Sequence, residues 1–308
     1  MAGIDRSGAS ALINQDVSNI LLKEVANTSA AMTMFRQVSM GTSQTRLPVL
    51  GSLPTANWVS GDTGLKGTTK VDWTNKYLTA EELAVIVPIP DAVIDDADYD
   101  IWAYVRPLIA DAIARKLDAA VLFGVESPAS FPTSIAAGAI AAGHDIERGA
   151  NTAAQGGYAE DISEAFAFVE NDGFSVTGAA AASNVRALLR GARDAEGRQL
   201  TEVTPTSIYG VPINYASPGL WPTTSGSAEL IAGDFSHAIL GVRQDLTYKV
   251  LTEATIYGPD SEVLYALAQQ DMTALRVVGR FAFQVDNTIN YANATEATRY
   301  PWAIVSRP

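Results

Sequence analysis

The chain has 308 residues, 47% of them hydrophobic and 18% charged, with a formal net charge of -13; it holds enough apolar material for one or two packed cores and falls outside the disordered class. The absence of cysteine and the presence of two histidines, His144 and His237, exclude a disulfide framework and thiolate metal sites and leave little for imidazole chemistry. The acidic balance argues against a general grip on nucleic acid, and neither an export signal nor a run of about 18 apolar residues is present, so no membrane partner is expected.

In chain order, Ile13, Val17, Ile20, Leu21 and Val25 stand at helical spacing and predict an amphipathic arm helix. Residues 35–50, FRQVSMGTSQTRLPVL, carry β-branched residues and a proline and suit an extended edge segment. Next comes WVSGDTGLKGTTKVDWTNKYL, residues 58–78, rich in glycine and threonine, in which Lys66, Lys70 and Lys76 oppose Asp62 and Asp72. The apolar run EELAVIVPIPDAVI follows and reads as a strand that leaves its sheet at Pro88 and Pro90. A glycine-rich stretch bracketed by two strands is expected to form a hairpin. Its tip lacks the alternation that would pack it on its own body, so it is expected to pack on something else.

The segment DDADYDIWAYVRPLIADAIARKLDAAVLFG predicts a long helix over residues 99–123, bent or started at Pro107 and closed by Gly124. Its leading aspartates do not form a calcium loop, because a loop starting at Asp96 would need Gly and Glu where Ile101 and Pro107 stand; they are read as helix caps. Residues 125–157 turn to Ala, Gly, Ser and Pro and read as a mobile connection. EDISEAFAFVENDG and NVRALLRGARDAEGRQL are read as helices on either side of a short strand in FSVTGAAAAS. Strands return in SIYGVPINYA, AELIAGDFSHAILGVR, LTYKVLTE and MTALRVVGRFAFQVDN. The result is an α+β chain with an inserted middle domain.

Chemistry is sparse. No phosphate-binding loop, zinc-protease or nucleophile-elbow motif occurs. Asp161 and Glu164 are spaced as helix-start carboxylates and are read as caps. The expectation is of no enzyme, with no catalytic residue, metal or cofactor; the alternative from another class is a hydrolase built on Asp234, Ser236 and His237.

Several stretches together resemble the major capsid proteins of tailed bacteriophages, whose fold is shared with encapsulins and the herpesvirus capsid floor. They are the hairpin at residues 58–78, IARKLDAAVLFG at the end of the long helix, RALLRGARDAEGRQL running into SIYGVPINYA, LIAGDFSHAILGVRQDLTYKV, and MTALRVVGRFAFQV. Their order and spacing carry the resemblance. It implies an N-terminal arm at residues 1–45 and an extended loop with flanking strands at 46–80. A peripheral domain with a spine helix would occupy 81–125, an axial domain 126–250, return strands 251–300 and a C-terminal tail 301–308.

The resemblance further implies pentameric and hexameric capsomers of this chain, closing as an icosahedral shell around double-stranded DNA. That would place the protein in the virion, assembled in the host cytoplasm. An encapsulin-like compartment is the alternative within the fold. In the family the loop reaches across a neighbouring subunit. The charge pattern agrees, because residues 79–100 hold seven carboxylates and no lysine or arginine. The intersubunit candidates are therefore Trp58, Asp62, Lys66, Lys70, Asp72, Trp73 and Lys76 on the loop, with Glu81, Glu82, Asp95, Asp96 and Asp98 on the facing acidic surface. Some members fuse lysine to asparagine between subunits, which here would engage Lys66, Lys70 or Lys76 with Asn287, Asn290 or Asn293 near Glu296. Because the family-like arm begins almost at Met1, assembly is expected to use a separate scaffold, a portal or self-assembly, with decoration proteins as further partners. The arm is close to neutral, with Asp5, Asp16 and Glu24 against Arg6, Lys23 and Arg36, so contact with DNA is expected to be loose and non-specific.

Overall fold

The computed structural model describes residues 29–59, 65–95, 101–152, 155–193, 197–216, 219–258 and 260–308; the expected arm helix at residues 13–25 lies outside them. The described chain starts in a short helix, α1 (Ala30–Met34), with Ala30, Ala31 and Met32 buried, and passes into strand β1 (Arg36–Ser39). Strands β2 (Gln44–Leu50) and β3 (Trp73–Thr79) then pair antiparallel, from Gln44 opposite Thr79 to Leu50 opposite Trp73. The hairpin therefore forms, but its second strand is the end of the glycine-rich stretch itself. The apolar run after it, β4 (Glu81–Pro90), joins a different sheet.

Strand β4 ends at Pro90, as the sequence reading expected, but Pro88 lies inside it. Both prolines stay in register, opposite Ala274 and Met272, because β4 is an outer strand whose free edge needs no N–H donors. A short helix, α2 (Asp91–Asp95), follows, and then α3 (Ile101–Asp118) with Pro107 inside it. The last turn widens into a π-helical turn over Ala119–Phe123, closed by Gly124 at φ 73°. That left-handed geometry suits glycine and ends the helix where the sequence predicted.

The stretch expected to be a mobile connection is part of the core. It holds α4 (Ile135–Ala142) and β5 (Asp145–Glu147), with Ile135 and Ala139 fully buried. Its small residues allow close approach: a Cβ at Gly138 would overlap the Tyr300 ring. Next come α5 (Tyr158–Asn171), ended at Gly173 (φ 78°), and β6 (Gly178–Ala181). They are followed by α6 (Val185–Gly191), β7 (Ser207–Ile208), β8 (Val211–Tyr215) and β9 (Ala228–Gly233). Helix α5 buries Ala159, Ile162, Ala165, Phe166 and Val169, one face of a 3.6-residue period. Asp161, read as a helix cap, is fully buried and accepts instead from the N–H groups of Gly149 (2.8 Å) and Asn151 (2.9 Å), tying down the preceding loop.

A single 3₁₀ turn (Phe235–His237) separates β9 from the long strand β10 (Ala238–Leu251). Strands β11 (Thr255–Tyr257) and β12 (Val263–Ala266) make a small hairpin, and β13 (Met272–Val285) and β14 (Trp302–Ser306) complete the chain's strands. Two larger sheets result. One has the order β1-β10-β13-β4 and the other β5-β14-β9-β6-β8-β7. Strand β10, placed by sequence in the middle block, thus belongs with β13 and β4. The expected tail contains β14, an inner strand whose five residues are all buried between β5 and β9. Its apolar run WAIVS is short and suits burial on both faces. One continuous apolar core joins both sheets with α3, α4 and α5.

Replacing Trp302 by alanine is expected to cost about 3–5 kcal/mol, and removing residues 302–308 to abolish cooperative folding. Urea denaturation followed by tryptophan and tyrosine fluorescence measures both. A dispensable tail would leave the midpoint unchanged.

Candidate assembly surface

The hairpin has two unlike halves. Its base is fixed to the body by a small satellite core in which Leu78 packs with Met40, Ile239 and Ala282. Lys76 donates to the Val285 carbonyl (3.2 Å), and the Gln284 amide donates to the Tyr77 carbonyl (3.0 Å). Further out most bonds are local, among them Gly51 N–H to the Asp72 carbonyl (2.8 Å) and Asp72 N–H to Ser52 Oγ (2.8 Å), and the exposed Tyr291 hydroxyl of the return loop donates to the Pro54 carbonyl (2.8 Å). Trp58 and Leu65 stand fully in solvent, and Trp73 is exposed.

The structure divides the residues singled out by sequence. Trp58, Lys66, Lys70, Asp72 and Trp73 lie together on the outer hairpin or at its edge, all exposed. Lys70 pairs with Asp72 at 2.8 Å, whereas Lys66 has no ion-pair partner among the described residues. Lys76 belongs to the base. On the acidic side, Glu81 and Glu82 begin β4, and Asp95 ends α2 beyond its other end. Ten residues of strand, roughly 30 Å, separate the two groups. Glu82 pairs with Arg280 at 3.1 Å. Asp62, Asp96 and Asp98 lie outside the described residues.

Sequence reasoning missed the contact that fixes the arm. Asp118 is fully buried on α3 and accepts from Ser29 Oγ (2.6 Å), Ala30 N–H (2.9 Å) and Ala31 N–H (3.0 Å). It therefore caps α1 from a distant helix, and Ser29 Oγ completes the cap by accepting from Met32 N–H (3.1 Å). Burial pushes the Asp118 carboxyl above the usual carboxylate range, against the opposing pull of these three bonds. An aspartate inside an otherwise apolar helical stripe was the available signal.

The asparagines considered for cross-linking are engaged internally. Asn287 accepts from Arg299 Nε (3.1 Å) and donates to the Arg299 carbonyl (2.7 Å). Asn290 and Asn293 donate to the Asp172 carbonyl (2.6 Å) and carboxylate (2.7 Å). These amides organise the loop that returns the chain to β14. The Asp234, Ser236 and His237 neighbourhood is equally structural. Ser236 Oγ donates to Asp234 (2.6 Å), Asp234 caps the 3₁₀ turn, and His237 Nδ1 lies 2.8 Å from the Asp286 carbonyl. The serine proton is directed at a carboxylate and not at an imidazole, so the order a nucleophilic triad requires is absent.

An α+β body with a long buried helix, two mixed sheets and an extended hairpin is the fold of the phage major capsid proteins. A family model described as the phage capsid family matches residues 9–289, and the chain belongs to that family as a phage major capsid protein. It is 27% identical over 286 residues to the major capsid protein of Staphylococcus phage 80alpha, covering 91% of this chain and 83% of that one. A solved structure from Microbacterium phage Oxtober96 aligns with a TM-score of 0.80 and 37% identity over 100% of both chains. One from Mycobacterium phage Cain aligns with a TM-score of 0.80 and 33% identity, over 100% of this chain and 99% of that one.

Removing the Asp118 carboxylate with Asp118→Ala strands three buried donors and is expected to cost about 2–4 kcal/mol, read by urea denaturation. The pH dependence has a definite sign. Because burial raises the folded-state pKa, the native chain binds this proton more tightly than the unfolded chain, so ionisation costs stability and the cost fades as pH falls through the folded pKa. The stability of the wild type relative to the non-titrating Asp118→Asn should therefore rise as the pH is lowered from neutrality toward the ordinary aspartate value of about 4.

Proposed function

We propose that this capsid protein closes an icosahedral shell of pentameric and hexameric capsomers around double-stranded DNA, each subunit laying the outer half of its hairpin across a neighbour. The observation that carries the reading is the contrast within the hairpin. Its base is locked into the subunit's own satellite core, while Trp58, Leu65 and Lys66 stand in solvent with no covering group from their own chain among the described residues. A segment whose base is rigid and whose outer half is uncovered is suited to binding in trans.

The intersubunit set of the outer hairpin would be Trp58, Lys66, Lys70, Asp72 and Trp73, together with Asp62. Its partner surface would be acidic and draw on Glu81 and Glu82 at one end of β4 and on Asp95 beyond the other, with Asp96 and Asp98 as further members. Each exposed ion pair contributes about 0–1 kcal/mol, and repetition over a shell multiplies it. The arm would lead into α1, and the peripheral unit would comprise α3 and the four-stranded sheet. The axial unit would comprise the six-stranded sheet with α4, α5 and α6. Scaffold, portal and decoration partners and assembly in the host cytoplasm belong to the same reading. A chain of net charge -13 holds packed DNA only by loose, salt-sensitive contact.

Replacing residues 53–70 by a short Gly-Ser bridge keeps β2 and β3. It should leave the urea midpoint within about 0.5 kcal/mol of wild type while closed shells disappear from negative-stain images. A folded variant that still closes shells would refute the trans role. Lys66→Glu should slow assembly, followed by light scattering, most strongly at low salt where screening is weakest. An unchanged rate at every salt concentration would remove the acidic partner surface.

A further inference from the structure

A groove of about 1060 Å³ opens between the segment leaving α1 and the six-stranded sheet. Met34, Phe35 and Arg36 form one wall, Ile213 and Tyr215 of β8 the other, and Phe235 contributes to the floor. Thirty-four acidic residues occur in the chain, yet among the described residues no carboxylate lines this groove. The charged groups among them are Arg36 and Arg186. The Arg186 guanidinium lies over the Tyr215 ring, 4.0 Å from its centroid, and neither arginine has an ion-pair partner among the described residues. The Tyr215 hydroxyl is already committed to the Pro205 carbonyl (2.6 Å), so the tyrosine offers its ring. Arg36 is exposed, and Met34, Ile213 and Tyr215 are half-buried.

We propose that this groove docks an extended acidic peptide belonging to another polypeptide. Its carboxylates would meet Arg36 and Arg186, and its alternate apolar side chains would cover Met34, Ile213 and the Tyr215 ring. An extended strand sends successive side chains to opposite sides, which matches a groove with guanidinium groups at its rim and apolar walls. Guanidinium groups without a carboxylate partner favour carboxylate by charge-assisted hydrogen bonds. Nucleic acid would satisfy the arginines but leave the apolar walls uncovered. The proposal is independent of the shell reading and of the hairpin.

The test is fluorescence anisotropy with the full chain and three fluorescein-labelled probes. One is a peptide of about ten residues alternating glutamate with leucine, the second replaces each glutamate by lysine, and the third is a short DNA duplex. The glutamate peptide should bind saturably and lose affinity with rising salt. Affinity should fall about tenfold in the Arg36→Glu, Arg186→Glu double variant. Arg36→Glu alone, at an exposed position, should fall about threefold with an unchanged melting curve, which separates lost binding from lost folding. The lysine peptide should not saturate. The proposal is overturned by no saturation of the glutamate peptide up to about 1 mM, by equal binding of the lysine peptide, by unchanged affinity in the variants, or by tighter binding of the duplex through the same arginines.

Discussion

The Asp118 carboxylate, buried on α3, holds the first described turn of the chain through Ser29, Ala30 and Ala31. Much of the remaining architecture is referred to that contact. It sets where α1 begins, one short helix before β1 enters parallel to β10 with Arg36 opposite Ile239. It also fixes the wall formed by Met34, Phe35 and Arg36. A buried carboxylate is tolerated only when its lone pairs are used, and here three donors from one turn converge on it. An apolar side chain at position 118 would avoid the desolvation cost but could not specify which turn of the arm docks. The polar contact supplies position as well as attraction.

The same division between fixed and free runs through the hairpin. Leu78, with no exposed surface, anchors one end, and Lys76 and Gln284 bind the backbone around it. From Ser52 outward, the hydrogen bonds among the described residues are exposed ones between the two arms and one from the Tyr291 hydroxyl to the Pro54 carbonyl. Such exposed bonds contribute little in water, so the outer half is held less firmly than the base. This explains how one sequence stretch can look unlike a core and still belong to a structural protein.

The long periodic elements were legible in the sequence. The stripe of Ile109, Ile113, Leu117 and Val121 and the glycine after it placed α3, and Phe166, Val169 and Gly173 did the same for α5. What failed were elements whose identity depends on distant partners. Composition made residues 125–157 look loose, because the value of Gly138 is visible only once Tyr300 lies against it. Strand β14 is five residues long, and its burial follows from being flanked by β5 and β9. Pro90 ends β4 as expected, whereas the place of Pro88 inside the strand makes sense only once β4 is known to be an outer strand. At the candidate surface the basic loop was found from charge alone, but Lys76 could not be separated from Lys66 and Lys70 without the Val285 carbonyl. The pairing of Ser29 with Asp118 spans 89 positions, and no local pattern announces it.

The strand order also constrains the sequence of events in folding. Hairpin β2–β3, hairpin β11–β12 and helix α3 are built from near neighbours and can form early. By contrast, β1 with β10 and β4 with β13 join segments roughly 200 residues apart, and β5 with β14 segments roughly 160 apart. Loop closure on that scale is slow, and until it is complete β10 and β9 present unpaired edges. A newly made subunit therefore passes through an interval in which its own sheet edges compete with those of other copies. For a protein produced to associate with itself, the speed of that internal closure decides whether it meets its neighbours as a finished subunit or as an aggregate.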